Sequence, residues 1–171
     1  KGLRICYSFE PSPPLETAGG IAFARPWALS NQPFLVINSD ILCGWPLSKA
    51  FKISSSKLFD EKLAYLVLTK NQSLSGDFHL VGKTVFNNLN DRVGVNDHKL
   101  TFTGIGIYRP QFFQQIKRGT FGKLKDILIP AVEKGLVMGE LYQGIWEDIG
   151  TNERFKDAKN KYERKGGKAL D

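Results

Sequence analysis

Cysteine is scarce. The 171 residues hold two, Cys6 and Cys43. That excludes a disulfide-stapled scaffold, and two buried free thiols in a reducing compartment are expected rather than one disulfide. A zinc site is excluded too, because His79 and His98 stand alone and no cysteine pair has ligand spacing. Met138 is the single methionine and the first residue is Lys1. The chain is therefore expected to be processed, or part of something longer. No apolar run approaches the roughly 20 residues that a membrane span needs. The opening Lys1-Gly2-Leu3-Arg4 has no apolar stretch of signal-peptide type behind it. No internal repeat or linker divides the sequence, so residues 1–171 are expected to form a single domain.

What is present is globular. Hydrophobic residues make up 42%, with 12 Phe, 3 Trp and 5 Tyr, which excludes a disordered chain. The formal net charge is +7, and much of the excess sits between Arg154 and Lys168. That stretch is expected to be the solvated face of a terminal helix. No recognised nucleic-acid-binding module accompanies it, so nucleic acid is not an expected partner. A basic protein also steers anions such as phosphorylated substrates.

Short strands alternate with helices. Arg4 to Phe9 has a β-like pattern, and Thr17 to Arg25 reads as a helix ended by Pro26. Phe34 to Ile37 and Leu63 to Leu68 are apolar on both faces, as strands buried inside a sheet are. Helices are expected at Pro46 to Lys57, Gln111 to Lys117, Lys123 to Lys134 and from Asn152 onward. Asp77 to Val81 and Lys83 to Phe86 flank Gly82 as a hairpin. Asn87 to His98 reads as a polar loop and Leu100 to Tyr108 as a strand. Leu141-Tyr142 and Ile145-Trp146 read as strand fragments. The class is α/β with a mixed, mostly parallel sheet.

Three segments carry polar groups where chemistry is possible. In Glu16-Thr17-Ala18-Gly19-Gly20, two glycines at a helix start let a ligand approach the backbone, whose N–H groups favour an anion or a base edge. Gly-Gly at a turn is structural in most proteins, and that is the alternative reading. Asn38-Ser39-Asp40 follows a buried strand, and in open α/β sheets ligands bind at the carboxyl ends of strands. Asp40 there is either a Mg²⁺ ligand or the cap of the next turn. In Trp146-Glu147-Asp148-Ile149-Gly150-Thr151 an acidic residue again follows a short apolar segment. Asp148 is either a second metal ligand or a helix cap, a duty that Thr151 and Asn152 already fill.

Taken in order, these motifs resemble the sugar-1-phosphate nucleotidyltransferases. The resemblance rests on Leu15 to Gly20, the Asn-Ser-Asp strand end and Gly76-Asp77-Phe78-His79-Leu80. It continues in Thr101-Phe102-Thr103-Gly104-Ile105 and Trp146-Glu147-Asp148-Ile149-Gly150-Thr151. It runs from about Gly2 to Lys161 and is strongest to the N-acetylmuramate-1-phosphate uridylyltransferase type. It implies a Rossmann-like nucleotidyltransferase core and a cytoplasmic enzyme. Such enzymes join a nucleoside triphosphate to a sugar 1-phosphate with Mg²⁺, releasing pyrophosphate. By the family pattern Asp40 and Asp148 are catalytic and hold the metal. Glu16, Thr17, Ala18, Gly19, Gly20 and Asn38 line the nucleotide. Gly76, Thr103, Gly104, Lys123 and Trp146 border the sugar phosphate.

One family element has no counterpart. The family's Gly-x-Gly-x-Arg triphosphate loop and Pro-Lys-Pro segment are missing. The chain is thus expected to be the C-terminal two thirds of the fold, lacking its opening strands and silent on its own. Phosphoryl transfer depends on cations placed against developing charge. One apolar strand is expected at an open sheet edge, covered by a complementary N-terminal polypeptide or by self-association. A non-catalytic subunit that binds nucleotide or sugar phosphate is the alternative reading. If the metal site exists, the Asp40 and Asp148 carboxyl groups are expected within roughly 8 Å of each other.

Overall fold

The structure, a computed structural model, describes residues 5–71, 75–89 and 99–163. In chain order it comprises α1 (Glu16–Ala24), β1 (Phe34–Ile37), β2 (Ile41–Cys43), α2 (Ser48–Ser54), β3 (Ala64–Thr69), β4 (His79–Val81) and β5 (Thr84–Phe86). Then follow β6 (Thr101–Tyr108), α3 (Leu124–Glu133), β7 (Val137–Tyr142), β8 (Trp146–Asp148) and α4 (Asn152–Glu163).

All six residues of β3 are buried, as its continuous apolar run predicts. Alternation sorts them to two faces. Ala64, Leu66 and Leu68 meet Ala18 of α1 and Leu128, Ala131 and Val132 of α3. Tyr65 and Val67 meet Trp45, Phe59, Ile105 and Ile107, with Ala50 and Ile53 of α2 packed beside them. Burying each of the larger aliphatic side chains stabilises the fold by about 1.5–3 kcal/mol. Tyr108, Phe112 and Phe113 close one end of the first face, with ring centroids 5.0–5.2 Å apart in the tilted and edge-on arrangements that aromatic pairs favour.

The main sheet has six strands in the order β1-β6-β3-β7-β5-β4, and β2 pairs with β8 in a second sheet. The sheet is mixed, but its pairing is less parallel than the sequence suggested. β1, β3, β7 and β4 point one way, yet only β3 and β7 are parallel neighbours, because β6 and β5 run between them in the opposite sense. The apolar runs reveal burial, not the neighbour on either side, so this interleaving left no local signal.

β1 is the apolar strand that meets the expectation of an open edge. Its apolar run predicts a central strand, but it lies at the sheet's edge, with Phe34, Leu35 and Val36 half-buried and Ile37 exposed. An apolar edge strand is the place where pairing with more chain is favoured. The hairpin around Gly82 forms as read, with Val81 opposite Thr84 and Gly82 at φ +60°, a value that favours glycine in a two-residue turn.

Other expectations change. Ile5, Tyr7 and Phe9 are exposed, and no strand forms among residues 5–10. An alternating pattern with nothing to pair against leaves its backbone unladdered. Both cysteines are free, but Cys6 is exposed and Cys43 only half-buried. The helix expected from Gln111 is a 3-10 turn at Pro110–Phe112. The strand expected at Leu141 begins earlier, at Val137. Most of the polar loop after Asn87, and the basic tail beyond Glu163, lie outside the described residues.

Candidate active site

The carboxyl ends of β1, β3 and β7 share one end of the main sheet. Asn38, Ser39 and Asp40 follow β1 there. The small sheet then joins two distant parts of the chain. Ile41 of β2 lies opposite Asp148 of β8, and the Ile149 N–H donates to the Asp40 carbonyl at 2.9 Å.

This pairing brings the two aspartates together around Gly150. A Cβ on Gly150 would stand 3.0 Å from Asp40 Oδ2 and 3.2 Å from Asp148 Oδ1. Both oxygens therefore border one small gap and lie within about 6 Å of each other, inside the span of one hydrated divalent cation. Asp40 is exposed and Asp148 partly so, so water reaches the gap. Asp148 Oδ1 accepts the Gly150 N–H at 3.0 Å, and Oδ2 accepts Arg154 Nη1 at 2.5 Å. The Gly150 N–H first, and the Arg154 guanidinium with it, hold the Asp148 carboxyl below the usual carboxylate range. Capping of α4 falls to Thr151, whose Oγ1 accepts the Arg154 N–H at 3.2 Å, and Asp148 is left for other work.

The residues fit a hard cation. Among the described residues no three of His, Cys, Asp and Glu gather as metal ligands. Two carboxylates facing one gap match Mg²⁺, which takes one or two carboxylates and leaves its other positions to water and phosphate.

Asn38, Thr103, Gly104 and Trp146 adjoin this pair. The Asn38 N–H donates to the Gly104 carbonyl at 2.9 Å, and Gly104, at φ +81°, lies so close to the Asn38 side chain that a Cβ would come within 2.8 Å of its Cγ. The Trp146 indole N–H donates to the Thr103 carbonyl at 2.9 Å. Thr103 corrects the expectation that its side chain borders a sugar. It is wholly buried, and its hydroxyl donates to the Val67 carbonyl at 2.8 Å. It fastens β6 to β3 and anchors Trp146.

The Glu16 to Gly20 segment is also built differently from its expected form. Glu16 and Thr17 are exposed, but Ala18 and Gly19 are buried. The Ala18 and Gly19 N–H groups, expected to face a ligand, both donate to the Gly122 carbonyl at 3.0 Å. A Cβ on Gly19 would stand 2.5 Å from the Thr120 carbonyl oxygen, and Glu10 Oε1 covers Gly20. This seam places Lys123, the next residue after Gly122, beside the α1 turn. Gly76, at φ +71°, is pressed against the Lys99 backbone. Asp77 ties this corner together, accepting the Phe102 N–H at 2.9 Å and pairing with Lys125 at 3.0 Å.

A cleft of about 590 Å³ opens beside Asp148, bordered by Asn71, Trp146, Asp148, Arg154, Asp157 and Lys161. Lys161 pairs with Glu147, whose hydrogen bond, foremost, raises the Lys161 pKa. The basic residues of the stretch from Arg154 to Lys161 are exposed, as expected of a solvated face, and the stretch also borders this cleft. Its spacing held the missed signal: 154, 157 and 161 share one face of a helix.

No protein-family model matches the chain. Curated relatives do. The chain is 41% identical over 160 residues to the N-acetylmuramate alpha-1-phosphate uridylyltransferase of Neisseria meningitidis, a match over 92% of this chain and 66% of that protein. It is 28% identical over 163 residues to the mannose-1-phosphate guanylyltransferase catalytic subunit beta of Danio rerio, over 90% of this chain and 43% of the relative. The fold is shared with UDP-glucose pyrophosphorylase from Acinetobacter baumannii, at TM-score 0.62 and 16% identity over 88% of this chain and 57% of that one. HddC from Yersinia pseudotuberculosis, complexed with GMP-PN, superposes at TM-score 0.64 and 18% identity, over 89% and 64% of the two chains. The architecture is thus that of a nucleotidyltransferase core. The chain belongs to the family of sugar-1-phosphate nucleotidyltransferases and spans roughly two fifths to two thirds of the length of its curated relatives.

Proposed function

We propose that the chain serves nucleotidyl transfer from a nucleoside triphosphate to a sugar 1-phosphate. A phosphate oxygen of the sugar attacks the α-phosphorus. The bond to the bridging oxygen breaks, and pyrophosphate leaves with that electron pair. A Mg²⁺ held by Asp40 and Asp148 would supply positive charge against the charge that develops in the transition state. Asn38 and Gly104 position the strand end that carries Asp40, and Trp146 offers its ring to the sugar side. The observation that carries the reading is the pair of carboxylate oxygens on either side of Gly150. The 41% identical relative is named for N-acetylmuramate alpha-1-phosphate and a uridylyl group, so that sugar phosphate with UTP is the substrate pair to assay first. Such substrates imply a cytoplasmic setting and a place in cell-wall sugar metabolism.

Triphosphate binding needs cationic groups that the Glu16 to Gly20 seam does not supply. The open edge of β1 suits an added strand, and we assign it to a polypeptide carrying the Gly-x-Gly-x-Arg loop. Pyrophosphate release is the test. The 171-residue chain alone is expected to be silent, and addition of the loop-bearing polypeptide is expected to produce Mg²⁺-dependent release that Asp148→Asn abolishes. Robust turnover by the chain alone, or activity that survives Asp148→Asn, overturns the reading.

A further inference from the structure

We propose that Arg154 is a positioning residue for the cation site: it grips one carboxylate oxygen of Asp148 so that the other is presented to the metal. This rests on the cation reading of Asp40 and Asp148 above. The two oxygens of Asp148 have separate surroundings. Oδ2 faces α4 and accepts Arg154 Nη1 at 2.5 Å. Oδ1 accepts the Gly150 N–H at 3.0 Å and borders the gap shared with Asp40 Oδ2. An ungripped aspartate exchanges its oxygens by rotation about its terminal bond, and that torsion is broad and soft. With Oδ2 held, Oδ1 stays on the Asp40 side.

Arg154 is itself fixed at its base. Its backbone N–H donates to Thr151 Oγ1 at 3.2 Å, and the Phe155 N–H donates to the Thr151 carbonyl at 2.9 Å. The first turn of α4 therefore sets where the guanidinium starts, six residues after the carboxylate that it grips. Hydrogen bonding to a ligating carboxylate orients it toward its metal. A guanidinium beside a cation site also repels the cation, so the two effects carry opposite signs. The proposal is that orientation wins: Arg154 strengthens cation binding rather than competing with it.

The test measures Mn²⁺ binding to the 171-residue chain by electron paramagnetic resonance of the free ion, without substrate or turnover. The wild-type chain is expected to bind one Mn²⁺ and Asp148→Asn to lose it. Arg154→Met is expected to bind about tenfold more weakly, with an unchanged circular dichroism spectrum and a melting temperature within about 4 °C of wild type. Arg154→Lys, which keeps the charge and one donor, is expected to recover part of the loss. Unchanged or tighter Mn²⁺ binding by Arg154→Met, with Asp148→Asn still abolishing it, overturns the positioning role and leaves the cation site standing. Wild-type chain that binds no Mn²⁺, or binding indifferent to Asp148→Asn, removes the cation site and this proposal with it.

Discussion

Gly19 and Gly150 both sit in glycine motifs that read as ligand sites, and the fold uses them in opposite ways. At Gly19 the missing side chain is filled by protein: the Thr120 carbonyl oxygen lies 2.5 Å from where a Cβ would be, and the Gly122 N–H is 3.1 Å away. At Gly150 the neighbours are side-chain ends: two carboxylate oxygens that a Cβ would meet at 3.0 and 3.2 Å. Glycine permits close approach in both cases. What approaches is backbone in one and the ends of two aspartate side chains in the other. A sequence motif states that something comes near without stating what.

The sharpest way to break the comparison is Gly19→Ala. The seam between α1 and the Thr120–Gly122 strip would have to open, because the contact is with backbone and not with a flexible side chain. Overpacking of this kind costs about 3 kcal/mol, which lowers the melting temperature by about 10 °C in a chain of this size. Differential scanning calorimetry reads it directly. An unshifted melting temperature would show that the seam is loose, and the contrast with Gly150 would lose its closed half.

Gly150→Ala probes the open half. The new methyl would meet carboxylate oxygens at the surface, so stability is expected to stay within about 1 kcal/mol of wild type. Mn²⁺ affinity is expected to fall about tenfold, as it does when the shell around a metal is disturbed. Equal affinity in the variant would mean that the space beside Gly150 is not where the cation sits.

An effect smaller than that at Gly19 is expected at Glu10. Its Oε2 accepts the Leu15 N–H at 3.0 Å, and Oε1 lies over Gly20, so Glu10 closes the entry to α1 from the side opposite Gly122. Glu10→Ala removes a charge-assisted hydrogen bond and is expected to cost about 1.5 kcal/mol, read by urea titration. A null effect would leave Gly122 as the sole clasp on that turn.

The same contrast explains what the sequence revealed. β3 was legible because its apolar run matched burial on both faces. The hairpin at Gly82 was legible because its turn is local. Asp40 and Asp148 were legible as acidic residues at strand ends, and their meeting through β2 and β8 matched the family order. What failed was non-local. An apolar strand at an edge was expected, but that it is β1 and not β3 depends on which strands flank each of them. Ala18 and Gly19 looked open to ligand because Gly122, which takes their N–H groups, is far away in the chain. Thr103 looked like a sugar contact because its burial between β3 and Trp146 is a tertiary fact. Arg154 was absorbed into a basic stretch, and only its meeting with Asp148 singled it out.

The last and smallest expected effect separates the two halves by pH. The Gly19 contact itself is with the backbone of Thr120 and Gly122, so the cost of Gly19→Ala is expected to be similar at pH 7 and pH 3. Asp148 behaves differently. The Gly150 N–H and Arg154 lower its folded-state pKa, so the carboxylate's stabilisation is fully present above the unfolded-state value. It is lost as pH falls through the lower folded-state value. The Arg154–Asp148 pair is about half exposed, and exposed ion pairs contribute at most about 1 kcal/mol. Asp148→Asn is therefore expected to melt slightly below wild type at pH 7, with the difference shrinking as the pH drops below about 4. A difference that grows toward acid would mean that the native state holds the protonated carboxyl more tightly than the charged one. That would leave Gly150 and Arg154 as neighbours of Asp148 but not as the groups that keep it ionised.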